Sequence, residues 1–387
     1  MHFVYIRVKS SGYDIPWALI ESGHHVTGYD SAEFDPLSPI PEQLDNLRSF
    51  LSDISFDYLI SYLFIPEISE ICQQNGYKYI CWVYDSPLIS LYHPAVHNPC
   101  NYIFIFDRSE YEHMKSLNIP HLYYLPLGVN ISRMGALDIT PSDEKQFSCD
   151  VSFVGSLYED NSYNSFISQI PEDLAIELKL YLLKNLCQWE NVKPWPKVSQ
   201  QMVNYMKEHF GADIWNRNQM DLDLYLGILL LSRKLAEMDR TTVLNELAAI
   251  YPVELYTRSN CSNLQNVHIH GGVDYYTDMS KIFFLSRINL NITLPSIETG
   301  LPQRIFDIMG SGGFVLTNYQ KEIDEYFTIG KEIEVFHNLE ELKEKTAYYL
   351  SHEKERLQIA INGYQKVRRN FSYQHQMMKI LNIITED

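Results

Sequence analysis

"INLNITLPSIETGLPQRIFDIMGSGGFVLTN", residues 288–318, sets two short apolar runs on either side of a helix-length amphipathic segment. Parallel strands need a crossover of about that length, usually a helix, so the stretch reads as one βαβ unit. Three glycines stand within "GSGG" (310–313), where the helix gives way to the second run. Glycine costs roughly 0.5–1 kcal/mol relative to alanine inside regular structure. The cluster therefore marks a tight turn or a close approach of backbone to something else.

The alternation extends both ways from this unit. "CDVSFVGSLY", "VELYT" and "VHIHGG" precede it and "EIEVFH" follows it, with helical patterns between most of them. An earlier series, "FVYIRV", "HVTGYD", "DYLISYLF", "YICWVY", "NYIFIF" and "LYYLPL", repeats the design and ends near Asn130. Residues 131–148, "ISRMGALDITPSDEKQFS", show no sustained period and read as a linker. The expected fold is α/β, with two Rossmann-like doubly wound domains facing a cleft, over 1–130 and 149–355. About ninety residues of helical pattern separate "VGSLYED" from "VELYT", too many for an ordinary connection, so a helical insertion is expected over about 160–250. The helices of 356–387 have apolar stripes that need a partner, and a crossing back to the first domain would supply one.

The length of 387 residues fits two cores. A net charge of −18 argues against an extended nucleic-acid partner, leaving room only for a local cationic pocket. No apolar run approaches the roughly 20 residues of a membrane span, and the N-terminus reads as a strand, so no integral membrane segment and a cytoplasmic location are expected. Six cysteines are scattered without a CxxC pair and read as buried thiols.

Ligands of open α/β sheets gather beyond the carboxyl ends of the strands. "GLPQRIFDIM" starts a helix there, and Arg304 in its first turn suits a diphosphate. Asp307 shares its face, three residues on. The competing reading is a surface ion pair followed by a glycine helix stop at Ser311, Gly312 and Gly313. Gly155 and Ser156 of "SFVGSLYEDN" stand at the end of the first strand of the second half. His268 and His270 share one strand face, where two histidines without a third ligand are more often structural. "DLD" (221–223) imitates a metal-binding DxD but sits in helical pattern, so no metal is expected; Lys281 and Arg287 are further candidates for the leaving charge. Asp85 of "WVYDSP" follows a strand and is a candidate base, with Asp14 its rival.

Two such halves in tandem favour a GT-B glycosyltransferase over a dehydrogenase, because "RVKSSGYDIPW" lacks the GxGxxG a dinucleotide enzyme would place after its first strand. The run "SKIFFLSRINLNITLPSIETGLPQRIFDIMGSGGFVLTNYQKEIDEYF", with "FSYQHQMM", resembles the spore-maturation CgeB-like glycosyltransferases. "CWVYDSP" and "FIFDRSEYEHMKSLNIPHLYYLPLGVN" look like the N-terminal domain, DUF3880, that often accompanies them. Within the insertion only the "DR" at Asp239–Arg240 shares the resemblance. The family is similar in its donor half to GT-B enzymes whose donor loop carries Glu, seven residues, Glu. The resemblance implies that Asp307 takes the second acid's place on the ribose, whereas the first falls at Thr299, with Glu298 one place off.

The expected activity is transfer of a sugar from a nucleotide-diphosphate-sugar donor to a protein or glycan acceptor, with no cofactor beyond the donor itself. Expected donor contacts are Gly155, Ser156, His270, Arg304, Asp307, Ser311, Gly312 and Gly313; Asp85, Asp14 and Glu298 are the catalytic candidates. A non-catalytic subunit that binds nucleotide sugar or acceptor, and a GT-B epimerase, are the alternatives.

Overall fold

The computed structural model describes residues 1–7, 12–30, 40–189, 199–209, 220 and 222–386. The chain divides into two compact units. One comprises Met1–Asn130 with Ser372–Asp387; the other is built on Ile131–Gly211 and Asp221–Phe371.

In the first unit the strands are β1 (His2–Arg7), β2 (His25–Asp30), β3 (Tyr58–Ser61), β4 (Lys78–Trp82), β5 (Asn101–Ile105) and β6 (Leu122–Tyr124). They form one parallel sheet in the order β2-β1-β3-β4-β5-β6. β3 and β5 are buried along their whole length, because helices cover both faces of such a sheet. This explains why the strands stand out in sequence as nearly continuous apolar runs. Val4, Leu59, Ile103 and Ile105 meet Leu47, Ile68 and Met114 in the core of this unit.

The last helix, Tyr373–Glu386, belongs to the same unit. Ser372 bridges Val129, Gln376 Nε2 donates to the Pro126 carbonyl at 2.6 Å, and the Tyr84 and Tyr373 hydroxyls meet at 2.7 Å. The preceding helix, Glu353–Asn370, packs in the second unit on the Gln303–Gly310 helix; Gly363 fits against the Glu332 carbonyl, only 2.4 Å from where a Cβ would stand.

In the second unit, β7 (Cys149–Val154), β8 (Val253–Tyr256), β9 (His268–His270), β10 (Ser286–Asn291), β11 (Val315–Asn318) and β12 (Glu334–Phe336) are again all parallel. Their order, β12-β11-β10-β7-β8-β9, is the 3-2-1-4-5-6 arrangement of dinucleotide-binding sheets. Between β7 and β8 the described insertion is helical: Ser162–Phe166, Glu172–Asn185, Gln200–His209 and Leu222–Leu226, then a π-turn at Gly227–Leu231 that runs into Ser232–Ala248.

The linker differs from expectation, because 141–147 form a helix. Thr140 caps it, its Oγ accepting from the Asp143 amide at 3.2 Å while its own amide donates to Asp143 Oδ2 at 2.9 Å. Pro141 occupies the first helical position, where its missing N–H costs nothing. Seven residues are too few for a period to show. All six cysteines are free thiols, with Cys72, Cys81 and Cys187 buried.

Candidate functional site

In the second sheet the chain runs outward from β7 through β8 to β9, then returns to lay β10 on the other side of β7. Connections leaving β7 and β10 therefore turn opposite ways, which opens a crevice at the carboxyl ends of the strands. A cavity of about 510 Å³ lies at this end of the sheet. Gly155 and Ser156 line it after β7, Thr257 and Arg258 after β8, and Gly272 after β9.

Three arginines line the cavity, Arg233, Arg258 and Arg304. Arg304 is the second residue of the Gln303–Gly310 helix; its Nη1 touches Met279 Sδ and stands 3.2 Å from Asp307 Oδ2, and its guanidinium packs over the Phe283 ring. Arg258 lies flat over Gly272, where an added Cβ would come within 2.5 Å of its Cγ and Nε. Neither Arg233 nor Arg258 has a carboxylate partner among the described residues. Glu159 and Asp160 also line the cavity. Glu159 Oε1 accepts the Asn260 amide at 2.6 Å, and although burial works the other way, donors from Ser259, Asn260 and the local backbone hold its carboxyl below the usual range. A cavity of this size lined by three arginines suits a multiply charged oxyanion.

Asp307 is not among the lining residues. At 1% exposure it accepts from the Tyr275 hydroxyl (3.2 Å), Gln303 Nε2 (2.9 Å) and Arg304 Nη1 (3.2 Å), so it anchors Arg304 from the buried side of the helix. The glycine cluster likewise has a local reason. Gly312, at φ +79°, takes the left-handed position after the helix; its amide donates to the Met309 carbonyl and that of Gly313 to the Ile308 carbonyl, each at 3.0 Å. This double bond pattern is the Schellman termination. A Cβ on Gly313 would lie 2.5 Å from the Phe283 carbonyl oxygen and 2.8 Å from Asn289 Nδ2, so the close approach is to the protein's own chain. Ser311 is buried and donates to the Asp307 carbonyl. These three residues close the helix end opposite to Arg304, about 12 Å away for eight residues, and do not line the cavity.

His268 and His270 share the Glu254 carboxylate, at 2.8 and 2.5 Å. His270 stacks on Tyr256, which lines the cavity, and so stands one ring behind it. Lys281 pairs with Asp143 at 3.0 Å and Arg287 with Asp150 at 2.8 Å, which takes both away from the cavity. Thr299 is buried and donates to Glu322 Oε1 at 2.8 Å; Glu298, half-buried beside it, is not a lining residue. Asp221 and the side chain of Asp223 lie outside the described residues. Among the described residues no group of three His, Cys, Asp or Glu side chains could hold a metal ion, and no helix is long and apolar enough to cross a membrane.

In the first unit Asp85 is exposed on the loop after β4, beside two buried carboxyl groups. Ser86 Oγ donates to Asp107 Oδ2 at 3.0 Å, and the Leu88 amide donates to Glu110 Oε1 at 2.8 Å. Burial, first, and then the charges of Asp107 and Asp85 push the Glu110 carboxyl up to about 8 against the Leu88 and Ser86 donors. Asp14 is the first residue of the Asp14–Glu21 helix, 2% exposed, and accepts Asn130 Nδ2 at 3.0 Å.

Sequence reasoning thus reached Gly155, Ser156 and Arg304 of the cavity and passed over Arg233, Arg258 and Gly272. "HGG" after β9 was the available signal for Gly272. A lone cation after β8 and another inside a helical insertion carry none. In the first unit "DRSE" (107–110) has the form of a helix start with a capping acid. Asp107 does cap, accepting the Ser109 amide, but Glu110 turns to Leu88.

Residues 239–382 match the family model described as glycosyl transferase-like. A protein of Aquifex aeolicus (strain VF5), itself uncharacterized, is 22% identical over 386 residues, covering 95% of this chain and 91% of its own. Among solved structures, Anabaena HepE in complex with UDP and glucose superposes over 100% of both chains with a TM-score of 0.58 at 9% identity. T4 phage BGT in complex with its UDP-glucose substrate does so over 98% of this chain and 99% of its own, at 0.51 and 9%. Identities this low speak to fold alone. Two six-stranded parallel α/β units of this kind make the fold GT-B.

Proposed function

We propose that the protein is a glycosyltransferase that moves a sugar from a nucleotide-diphosphate-sugar donor to a hydroxyl of a protein or glycan acceptor, a CgeB-like enzyme with a DUF3880-type N-terminal domain. The observation that carries the reading is that Arg233, Arg258 and Arg304 all line the cavity at the carboxyl ends of a 3-2-1-4-5-6 sheet. The glycosyl transferase-like match over 239–382 and the UDP-bound neighbours of the same fold support it.

In this reading the guanidinium groups take the diphosphate. As the bond between the anomeric carbon and the β-phosphate oxygen breaks, negative charge builds on that phosphate and the fixed cations stabilise it more than they stabilise the ground state. Neutralisation by guanidinium groups makes the reading metal-independent and free of any cofactor beyond the donor, in a cytoplasmic setting. The acceptor oxygen forms the new bond to the anomeric carbon and gives its proton to Asp85, the exposed carboxylate of the first unit. Asp307 holds Arg304 in place rather than touching the ribose, and Gly155 and Ser156 offer backbone beside the phosphates.

A panel of nucleotide sugars scored by thermal shift tests the donor reading, since a ligand at 100 times its dissociation constant adds about 2.7 kcal/mol. A stabilising donor whose sugar is then released to water or acceptor, with and without EDTA, supports the reading. Stabilisation without turnover points to a binding subunit, and conversion of free donor to its epimer to an epimerase. Asp85→Asn is expected to lower the transfer rate about 10²- to 10⁴-fold while donor affinity holds; transfer at the wild-type rate would move the base elsewhere.

A further inference from the structure

Arg233 has a counterpart seven residues along the Ser232–Ala248 helix, on the same face. Arg240 is 8% exposed. Its Nη1 donates to the Ser156 carbonyl at 2.5 Å and another guanidinium nitrogen, Nη2, to the Ile292 carbonyl at 2.6 Å. Ser156 follows β7 and Ile292 follows β10, the two strands whose exits part at the crevice. One side chain thus ties both lips of the crevice together.

The guanidinium lies 4.7 Å from the Tyr158 ring centroid and 5.4 Å from that of Phe153. Ser156 and Tyr158 both line the cavity, so Arg240 stands directly behind its wall. Two main-chain carbonyls occupy donors without cancelling the charge, and Nε has no acceptor among the described residues. Asp239, the adjacent carboxylate, accepts the Cys187 amide at 2.7 Å. Burial disfavours the cation most; Tyr158 and Asp239 favour it and Arg304 opposes it. A guanidinium nevertheless stays charged in a protein. A cation removed from water acts through a low effective dielectric, so its field at the cavity is stronger and less screened than that of an exposed arginine.

We propose that Arg240, beyond tying the β7 and β10 exits, favours an anionic ligand of this cavity through its charge, a permanent, desolvated positive potential behind the diphosphate. The inference rests on the reading of the cavity as a nucleoside-diphosphate site. It separates two kinds of cation. Arg233 and Arg258 meet the anion from the solvent side, and Arg240 acts through the wall.

The test is calorimetric titration of UDP and of inorganic pyrophosphate into wild type, Arg240→Met, Arg240→Lys and Arg233→Ala at 0.05 M and 0.5 M NaCl, concentrations on either side of the physiological Debye length of about 8 Å. Arg240→Met is expected to weaken both probes at least about tenfold, equally at both salts, whereas the loss in Arg233→Ala shrinks at high salt. Arg240→Lys keeps the charge and is expected within about threefold of wild type, which a purely structural clamp would not allow because a single ammonium cannot span both carbonyls. A folded Arg240→Met that binds pyrophosphate like wild type overturns the inference. Should that variant not fold, an Arg240→Lys protein more than about tenfold weaker than wild type overturns it instead. Wild type that binds neither probe overturns the donor-site reading together with this inference.

Discussion

Glu110→Gln isolates a single buried proton. In the folded first unit the Glu110 carboxyl is pushed up to about 8 from an ordinary value of 4.5. A raised value means that the folded state holds the proton more tightly than the unfolded chain does. The stabilisation is present in full below pH 4.5 and is lost as pH rises through 8. Each pH unit inside that window is worth about 1.4 kcal/mol, so the shift amounts to as much as about 5 kcal/mol, an upper bound because the loop over Glu110 can relax and admit water. Glutamine keeps the acceptor for the Leu88 amide and has no proton to lose. Chemical denaturation of both proteins at half-unit steps from pH 5 to 9, followed by tryptophan fluorescence, gives the difference, because the substitution lies in the first unit and the second unit's transition is common to both. The two should be similar near pH 5, and the variant should gain steadily on wild type toward pH 8.5. A difference that stays constant across the range would refute the assignment of a buried, protonated carboxyl.

Other expectations bear on the second unit. Arg304→Ala should weaken UDP binding about 10- to 100-fold by titration, because a hydrogen bond to a charged group contributes about 1.5–3 kcal/mol. Gly272→Ala should lower UDP affinity several-fold with the melting temperature nearly unchanged, since the new methyl group displaces only the Arg258 side chain from the cavity. Gly313→Ala should do the reverse: its methyl group meets the Phe283 carbonyl, which cannot swing aside, so about 1–3 kcal/mol of stability is lost while folded protein binds UDP as before. Unequal effects in the opposite sense, with UDP affinity lost in Gly313→Ala and kept in Gly272→Ala, would return the donor to the glycine cluster.

Strands such as β3 and β5 were legible because a sheet covered on both faces favours continuous apolar runs, whereas β9, at the sheet edge and mostly exposed, carries only Ile269 between two histidines. Arg304 was legible because a helix start after a strand has few uses. Asp307 shows the boundary of such reading. Spacing ties it to Arg304, but whether a carboxylate faces ligand or core depends on Tyr275, a residue 32 positions away. The glycines at 312 and 313 illustrate a second boundary. A left-handed helix stop and a backbone approach to ligand call for the same residue, and only the carbonyl of Phe283 distinguishes them. Arg258 gained its place from a neighbour on the next strand, and Arg240 from two strand exits more than a hundred residues apart.

The first unit joins strands from residues 1–130 to a helix more than 240 residues further on, Tyr373–Glu386. A ribosome that has released residues 1–130 has made six strands but not the helix whose Gln376 caps the Pro126 and Leu127 carbonyls and whose Tyr373 ring packs against Trp82 at 5.5 Å. Until residue 372 and beyond emerge, that face of Trp82 and those carbonyls wait for partners while the whole second unit is translated and free to fold. Domains generally fold as units in order of synthesis, and here the order is inverted: the later unit can finish first. A stop codon near 371 would therefore injure the unit whose strands were made long before it.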